Sequence, residues 1–203
     1  MQPARQAEPP RILQIYRDFL EPGADAAYRD IEEEAARICA RLRCPNPYLA
    51  IESLTGPKEV WYLNGYRSAA HVTAVAEAYR NNAPLMAALD EIPRRKAELI
   101  RTPLDVLAEY RDDLTRGGAW QLGQGRFLVI AVCRGSHDAA GTVFEARDRT
   151  LFIVASAQSR AEANAKARAA GSEARVFAVR PSMSVPAEEW VVRDPDFWYS
   201  KAR

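Results

Sequence analysis

Cysteine is scarce in this chain of 203 residues, with only Cys39, Cys44 and Cys133. An odd number without a secretion signal argues against a disulfide framework, and all three read as buried thiols. Histidine is scarcer still, with only His71 and His137. Two imidazoles cannot complete a zinc site around Cys39 and Cys44, whose spacing is not that of a zinc knuckle, so no metal is expected. Neither sign of charge is in excess: 28 Lys and Arg face 27 Asp and Glu, for a net charge of +1. There is thus no global electrostatic case for nucleic acid or an anionic membrane as partner. No apolar run approaches the roughly 18 residues of a membrane-spanning helix. The opening MQPARQAEPP has no apolar stretch, so residues 1–10 read as a disordered lead-in and not as a secretory signal, which makes the cytoplasm the default location. H-E-x-x-H, EF-hand and P-loop patterns are absent. The glycines of GGAWQLGQG do not follow a strand as G-x-G-x-x-G, and Ser136, Ser156 and Ser182 lack a nucleophile-elbow context.

What is present is a core. Hydrophobic residues make up 48% of the chain, which argues against wholesale disorder. Residues 11–20, RILQIYRDFL, read as a strand, and Pro22-Gly23 as a break. From Asp25 to Arg43, Ile31, Ala35, Ile38 and Leu42 recur at helical spacing; the Glu-rich first half and Arg-rich second half of that helix suit its dipole. Tyr48–Leu54 and Glu59–Tyr66 form a hairpin around Thr55–Lys58. Alternation puts Val60, Tyr62, Asn64 and Tyr66 on one face and Trp61, Leu63 and Gly65 on the other. A sheet that is apolar on both faces needs two covers. Ser68 is a plausible N-cap for the following helix, Pro93 should kink or restart its continuation, and Leu104–Arg111 is a fourth strand.

The glycine-rich segment Thr115–Gly125 reads as a linker. Beyond it come strands at Phe127–Cys133, Thr142–Arg147 and Thr150–Ala157, an alanine-rich helix at Arg160–Ala170, a strand at Ala174–Arg180 and a short edge strand at Glu189–Val192. EVWYLNGYRSAA aligns in pattern with TLFIVASAQSRA, and LDVLAEYRDD with ARVFAVRPSM. The expected fold is therefore α+β: a ferredoxin-like β-α-β-β-α-β unit over 11–114, then a degenerate copy over 126–203 that lacks the first helix.

The hairpin ending VWYLNGYRS, the long helix after it and the continuation NAPLMAALDEIPRRKAELI give the first half a resemblance to the dimeric α+β-barrel superfamily, closest to its NIPSNAP-like and antibiotic-biosynthesis-monooxygenase-like groups. The resemblance implies a dimeric α+β-barrel-type architecture in which two ferredoxin-like sheets pack face to face, from two chains or from two halves of one. A homodimer is expected on this ground.

Tyr62, Asn64 and Tyr66 share a strand face, with Tyr16 expected nearby and His71 one turn into the next helix. These five are the candidate ligand-binding residues; no catalytic constellation and no cofactor is assigned. Tyrosines and an amide in an apolar setting can hold a flat ligand and polarise its oxygen, or they can form a packing layer whose hydroxyls reach the rim. His71 could serve as a base or as a structural first-turn residue. His137, beside Asp138 in RGSHDAAG, reads as a solvated loop residue. The functional expectation is a small-molecule-binding or association module without strong catalytic signature, whose ligand would be small and apolar. The alternative, implied by the resemblance, is a cofactor-independent monooxygenase-like enzyme acting on a small aromatic substrate. A nucleic-acid-binding module is disfavoured, because the aromatic, glycine and basic signature of RNA-binding sheets is missing.

Overall fold

The residues that alternate along Glu59–Tyr66 do face two different covers. The computed structural model describes residues 8–135 and 137–199. Strands β1 (Ile12–Leu20), β2 (Tyr48–Ser53), β3 (Glu59–Tyr66) and β4 (Ile100–Tyr110) come from the first half. Strands β5 (Phe127–Arg134), β6 (Thr142–Ala146), β7 (Thr150–Ala157) and β8 (Ala174–Val179) come from the second. All eight close into one barrel in the order β1-β3-β2-β8-β5-β7-β6-β4. The halves are joined by two antiparallel seams, Ile51 opposite Val179 between β2 and β8, and Ala108 opposite Ala146 between β4 and β6.

The barrel interior takes the odd-numbered face of β3. Trp61 is fully buried, its ring centroid 4.8 Å from Phe177 and 6.3 Å from Phe152. Leu13, Ile15, Leu49, Leu63, Leu128 and Phe144 complete its surroundings. Burying a side chain of this kind contributes about 1.5–3 kcal/mol. One inward charge is tolerated because it is fully paired. The buried Glu59 carboxylate accepts from Trp61 Nε1 at 2.6 Å and from Arg17 Nη2 at 3.0 Å, and it pairs with Arg175. Covering this face of the hairpin thus requires no second chain.

Outside the barrel lie helices α1 (Asp25–Leu42), α2 (Ala69–Arg80), α3 (Ala83–Leu89) and α4 (Glu91–Lys96) over the first half, and α5 (Arg160–Ala170) over the second. Ser68 caps α2, accepting from His71 N at 3.2 Å, and Ser159 caps α5 in the same way through Glu162 N. Pro93 restarts the chain as α4 after the break at Asp90. No helix among the described residues is long and apolar enough to cross a membrane.

Three expectations need correction. Glu188–Arg193 is a helix (α6), not an edge strand. A closed barrel offers no free edge to pair with, and the helical turn instead seats Trp190 in the core with Trp198 of α7 (Pro195–Trp198). Cys39 and Cys44 are not free thiols but form a disulfide, with Cα atoms 4.8 Å apart. Arg43 ends α1 in the left-handed conformation (φ 56°), and Cys44 N donates back to Cys39 O at 2.9 Å, which brings the two side chains together. The Thr115–Gly125 segment is not a loose spacer. Its Trp120 is buried in the core, and Arg116 and Gly141 exchange backbone hydrogen bonds. The expected disordered lead-in falls largely on residues 1–7, which lie outside the described residues, as do Ser136 and 200–203.

Candidate functional site

The even-numbered face of β3 looks outward, together with that of β1, toward α1 and α2. Between them is a cavity of about 470 Å³. The space exists because the roof is built of short side chains. Ala35 of α1 and Ala76 of α2 face the sheet where larger residues would reach the floor, and Val75 is the buried residue of α2. In the second half the corresponding floor positions on β7, paired through the hairpin pattern, are Ile153, Ala155 and Ala157 in place of Tyr62, Asn64 and Tyr66. There α5 packs close, with Ala163 fully buried.

The cavity has a charged inner end. Lys96, the last residue of α4, sends its Nζ to Glu32 of α1 at 2.7 Å and to Asp18 of β1 at 3.0 Å. Asp18 and Glu32 are both buried. The Tyr28 hydroxyl donates to Asp18 Oδ2 at 2.6 Å and lies 3.1 Å from the Tyr62 hydroxyl. Burial disfavours the Lys96 ammonium, but Glu32 and Asp18 outweigh that cost and hold its pKa above the ordinary lysine value. Burial, reinforced by the Glu32 carboxylate, pushes the Tyr62 and Tyr28 phenols far upward.

The outer end is neutral and hydrogen-bonded. Tyr66 donates to Gln14 Oε1 at 2.8 Å, and Gln14 Nε2 donates to Asp105 Oδ1 at 3.0 Å. Burial raises the Tyr66 phenol to about 12. Tyr16 stands at the mouth, 41% exposed. Tyr48 and Tyr79 complete the aromatic lining, and among the described residues their hydroxyls and the Asn64 amide have no hydrogen-bond partner.

Four of the five residues singled out in the sequence therefore meet in one cavity: Tyr16, Tyr62, Asn64 and Tyr66. His71 does not line it. Its Nδ1 accepts from Arg67 N at 3.3 Å and its ring lies edge-on to Tyr66, so the imidazole closes the first turn of α2 instead of facing the space. His137 Nδ1 lies 3.2 Å from Ala139 O, while Asp138 pairs with Arg116. The residues that went unnoticed are Asp18, Glu32 and Lys96. In sequence each is one charge among many, and only the fold brings them together. No grouping of three metal-ligating side chains occurs among the described residues.

Chemically, the cavity offers neutral phenols as hydrogen-bond donors, an open amide, and an ammonium locked between two carboxylates. Near neutral pH neither the raised phenols nor the ion-paired lysine can serve as a free base. The arrangement is suited to holding a small molecule and orienting an oxygen or nitrogen on it.

Comparison with protein-family models and with curated proteins finds no match. Among solved structures the chain is similar to a candidate monooxygenase from Fusobacterium nucleatum, at 9% identity and a TM-score of 0.49, covering 89% of this chain and 94% of that one. A candidate monooxygenase from Lactobacillus acidophilus matches at 8% identity and a TM-score of 0.44, covering 83% and 92%. A candidate chlorite dismutase matches at 10% identity and a TM-score of 0.45, covering 85% and 96%. The assignment of an α+β barrel rests on the chain's own strand order.

Proposed function

We propose that this protein is a small-molecule-binding α+β barrel whose site is the cavity between β1, β3 and the α1–α2 roof. The observation that carries the reading is the lining itself: an apolar roof over a floor of tyrosines and an amide, with polar groups left unpaired toward the space. Apolar walls with a few convergent polar groups are the usual make-up of a ligand pocket. Support for a binding role over a catalytic one comes from the raised phenols and the pinned Lys96, which leave no evident base. The site belongs to the first half alone. This fits a chain made of a ferredoxin-like unit and a degenerate copy, since each half contributes four strands in the same relative order, fourth-first-third-second. Self-association as a homodimer is a separate part of the proposal, for which the exposed Leu107 beside Tyr16 on the outer face of β4 and β1 offers one apolar surface. Sedimentation of the full chain tests it, and a strict monomer refutes it.

The cavity reading is tested with a neutral solvatochromic probe, N-phenyl-1-naphthylamine. Its emission should rise on binding to the full chain. Ala76→Trp, which puts an indole into the cavity from a roof position that is itself exposed, should abolish that rise without lowering the melting temperature appreciably. Equal binding by Ala76→Trp and the parent chain would move the site elsewhere.

A further inference from the structure

Five tyrosines, Tyr16, Tyr48, Tyr62, Tyr66 and Tyr79, line one cavity and come from four different elements. Two buried carboxylates, Asp18 and Glu32, lie at its inner end, against a single lining cation among the described residues, Lys96. A third carboxylate, Asp105, stands behind Gln14 at the outer end. Among the lining residues two carboxylates face one ammonium, a formal excess of one negative charge, and Asp105 lies outside the lining. Lys96 is engaged by both carboxylates at the inner end, and its ammonium lies 5.8 Å from the Tyr62 ring centroid, so one cation already sits against the aromatic floor there. Burial is the main reason the phenols of Tyr28, Tyr48, Tyr62, Tyr16 and Tyr66 are raised; Glu32 adds to the shift of the first three and Asp105 to that of the last two, while Lys96 opposes it at Tyr16.

Resting on the cavity reading above, we propose that the ligand is an organic cation: a substituted amine or quaternary ammonium carried on a small apolar body. Aromatic faces attract cations through their quadrupoles, and several rings around one ammonium form the aromatic cage known for such ligands. Such a cage needs no direct ion pair, so the paired state of Asp18 and Glu32 is no obstacle. Their excess negative charge sets the sign of the ligand, while the tyrosine faces and the alanine and valine roof supply the contact. An anion would meet the opposite: a carboxylate field with no free cation to answer it. A neutral ligand would fill the space but gain nothing from either feature.

Three matched probes decide the matter with the full chain by isothermal titration calorimetry: benzyltrimethylammonium, its neutral isostere neopentylbenzene, and phenylmethanesulfonate. The expected order is cation first, by at least tenfold over the isostere, with the anion weakest. Tyr79→Leu, which keeps an apolar wall but removes a ring, should cost the cation severalfold in affinity and narrow its lead. Asp105→Asn, at an exposed position that leaves the buried cluster intact, should narrow it as well, and more at low salt than at high salt. If neopentylbenzene or phenylmethanesulfonate binds as tightly as the cation, the charge assignment is overturned and the cavity reading stands. If none of the three binds at millimolar concentration, and N-phenyl-1-naphthylamine also fails, the cavity reading falls and this inference falls with it.

Discussion

Replacing Lys96 by methionine tests the structural core of the site. Methionine keeps most of the apolar stem and removes the ammonium. Asp18 and Glu32, whose side chains are each 7% exposed, then face each other without the cation that lies 3.0 Å from one and 2.7 Å from the other. Removing one partner of a buried ion cluster costs about 3–5 kcal/mol, because the remaining charges stay buried and uncompensated. That is a large share of the roughly 5–15 kcal/mol that holds a typical domain together. The assay is urea unfolding followed by tryptophan fluorescence, for which Trp61 and Trp120 are buried reporters. At pH 7.5 the unfolding midpoint should fall sharply with the slope unchanged. The triple variant Lys96→Met, Asp18→Asn, Glu32→Gln should recover most of the stability. A loss under about 1 kcal/mol at pH 7.5, or no recovery in the triple variant, would refute the view that this cluster is a desolvated ion network.

Alkaline titration gives a second expectation. The pKa values of Lys96, Tyr28 and Tyr62 are raised in the folded state, so their contribution to stability is complete below their unfolded values near pH 10 and is lost as pH rises above them. Absorbance at 295 nm should show these phenols ionising only together with unfolding; smooth titration in the folded state would contradict their burial. Gly123 has φ +77°, and a Cβ there would overlap the Trp190 indole. Gly123→Ala should therefore cost about 3 kcal/mol through overpacking and backbone strain, read as a lower melting temperature. Reducing the Cys39–Cys44 disulfide opens a loop of five-residue separation and should cost about 2 kcal/mol on chain-entropy grounds. No change in unfolding midpoint with dithiothreitol would show that the bond adds nothing.

The strand Glu59–Tyr66 shows how much was legible beforehand. Its bounds, its two faces and its need for two covers follow from a period of two in the sequence, and the structure has the same strand with the same faces. Period is a local property, set by backbone geometry at each residue. The capping by Ser68 and the restart at Pro93 are legible for the same reason. Tyr62, Asn64 and Tyr66 could be grouped because they share one strand, and Tyr16 because its strand was expected to pair with theirs. His71 was misplaced because helical phase at a first turn depends on how the helix is seated, which neighbours decide.

What lay beyond the sequence is whatever depends on distant partners. Lys96 meets Asp18 and Glu32 across 78 and 64 residues, and a lysine at a helix end reads as solvated until the fold buries it. The fate of Glu189–Val192 turned on barrel closure, since strands need edges and this sheet has none free. The sequence alone determined a two-faced sheet, the helices over it and a tyrosine-rich strand face. Tertiary structure decided that the second cover comes from the same chain, that a cavity remains under α2, and that Asp18, Glu32 and Lys96 meet at its inner end. Local periodicity is written residue by residue, whereas enclosure and electrostatic sign are sums over groups that only folding brings within a few ångströms.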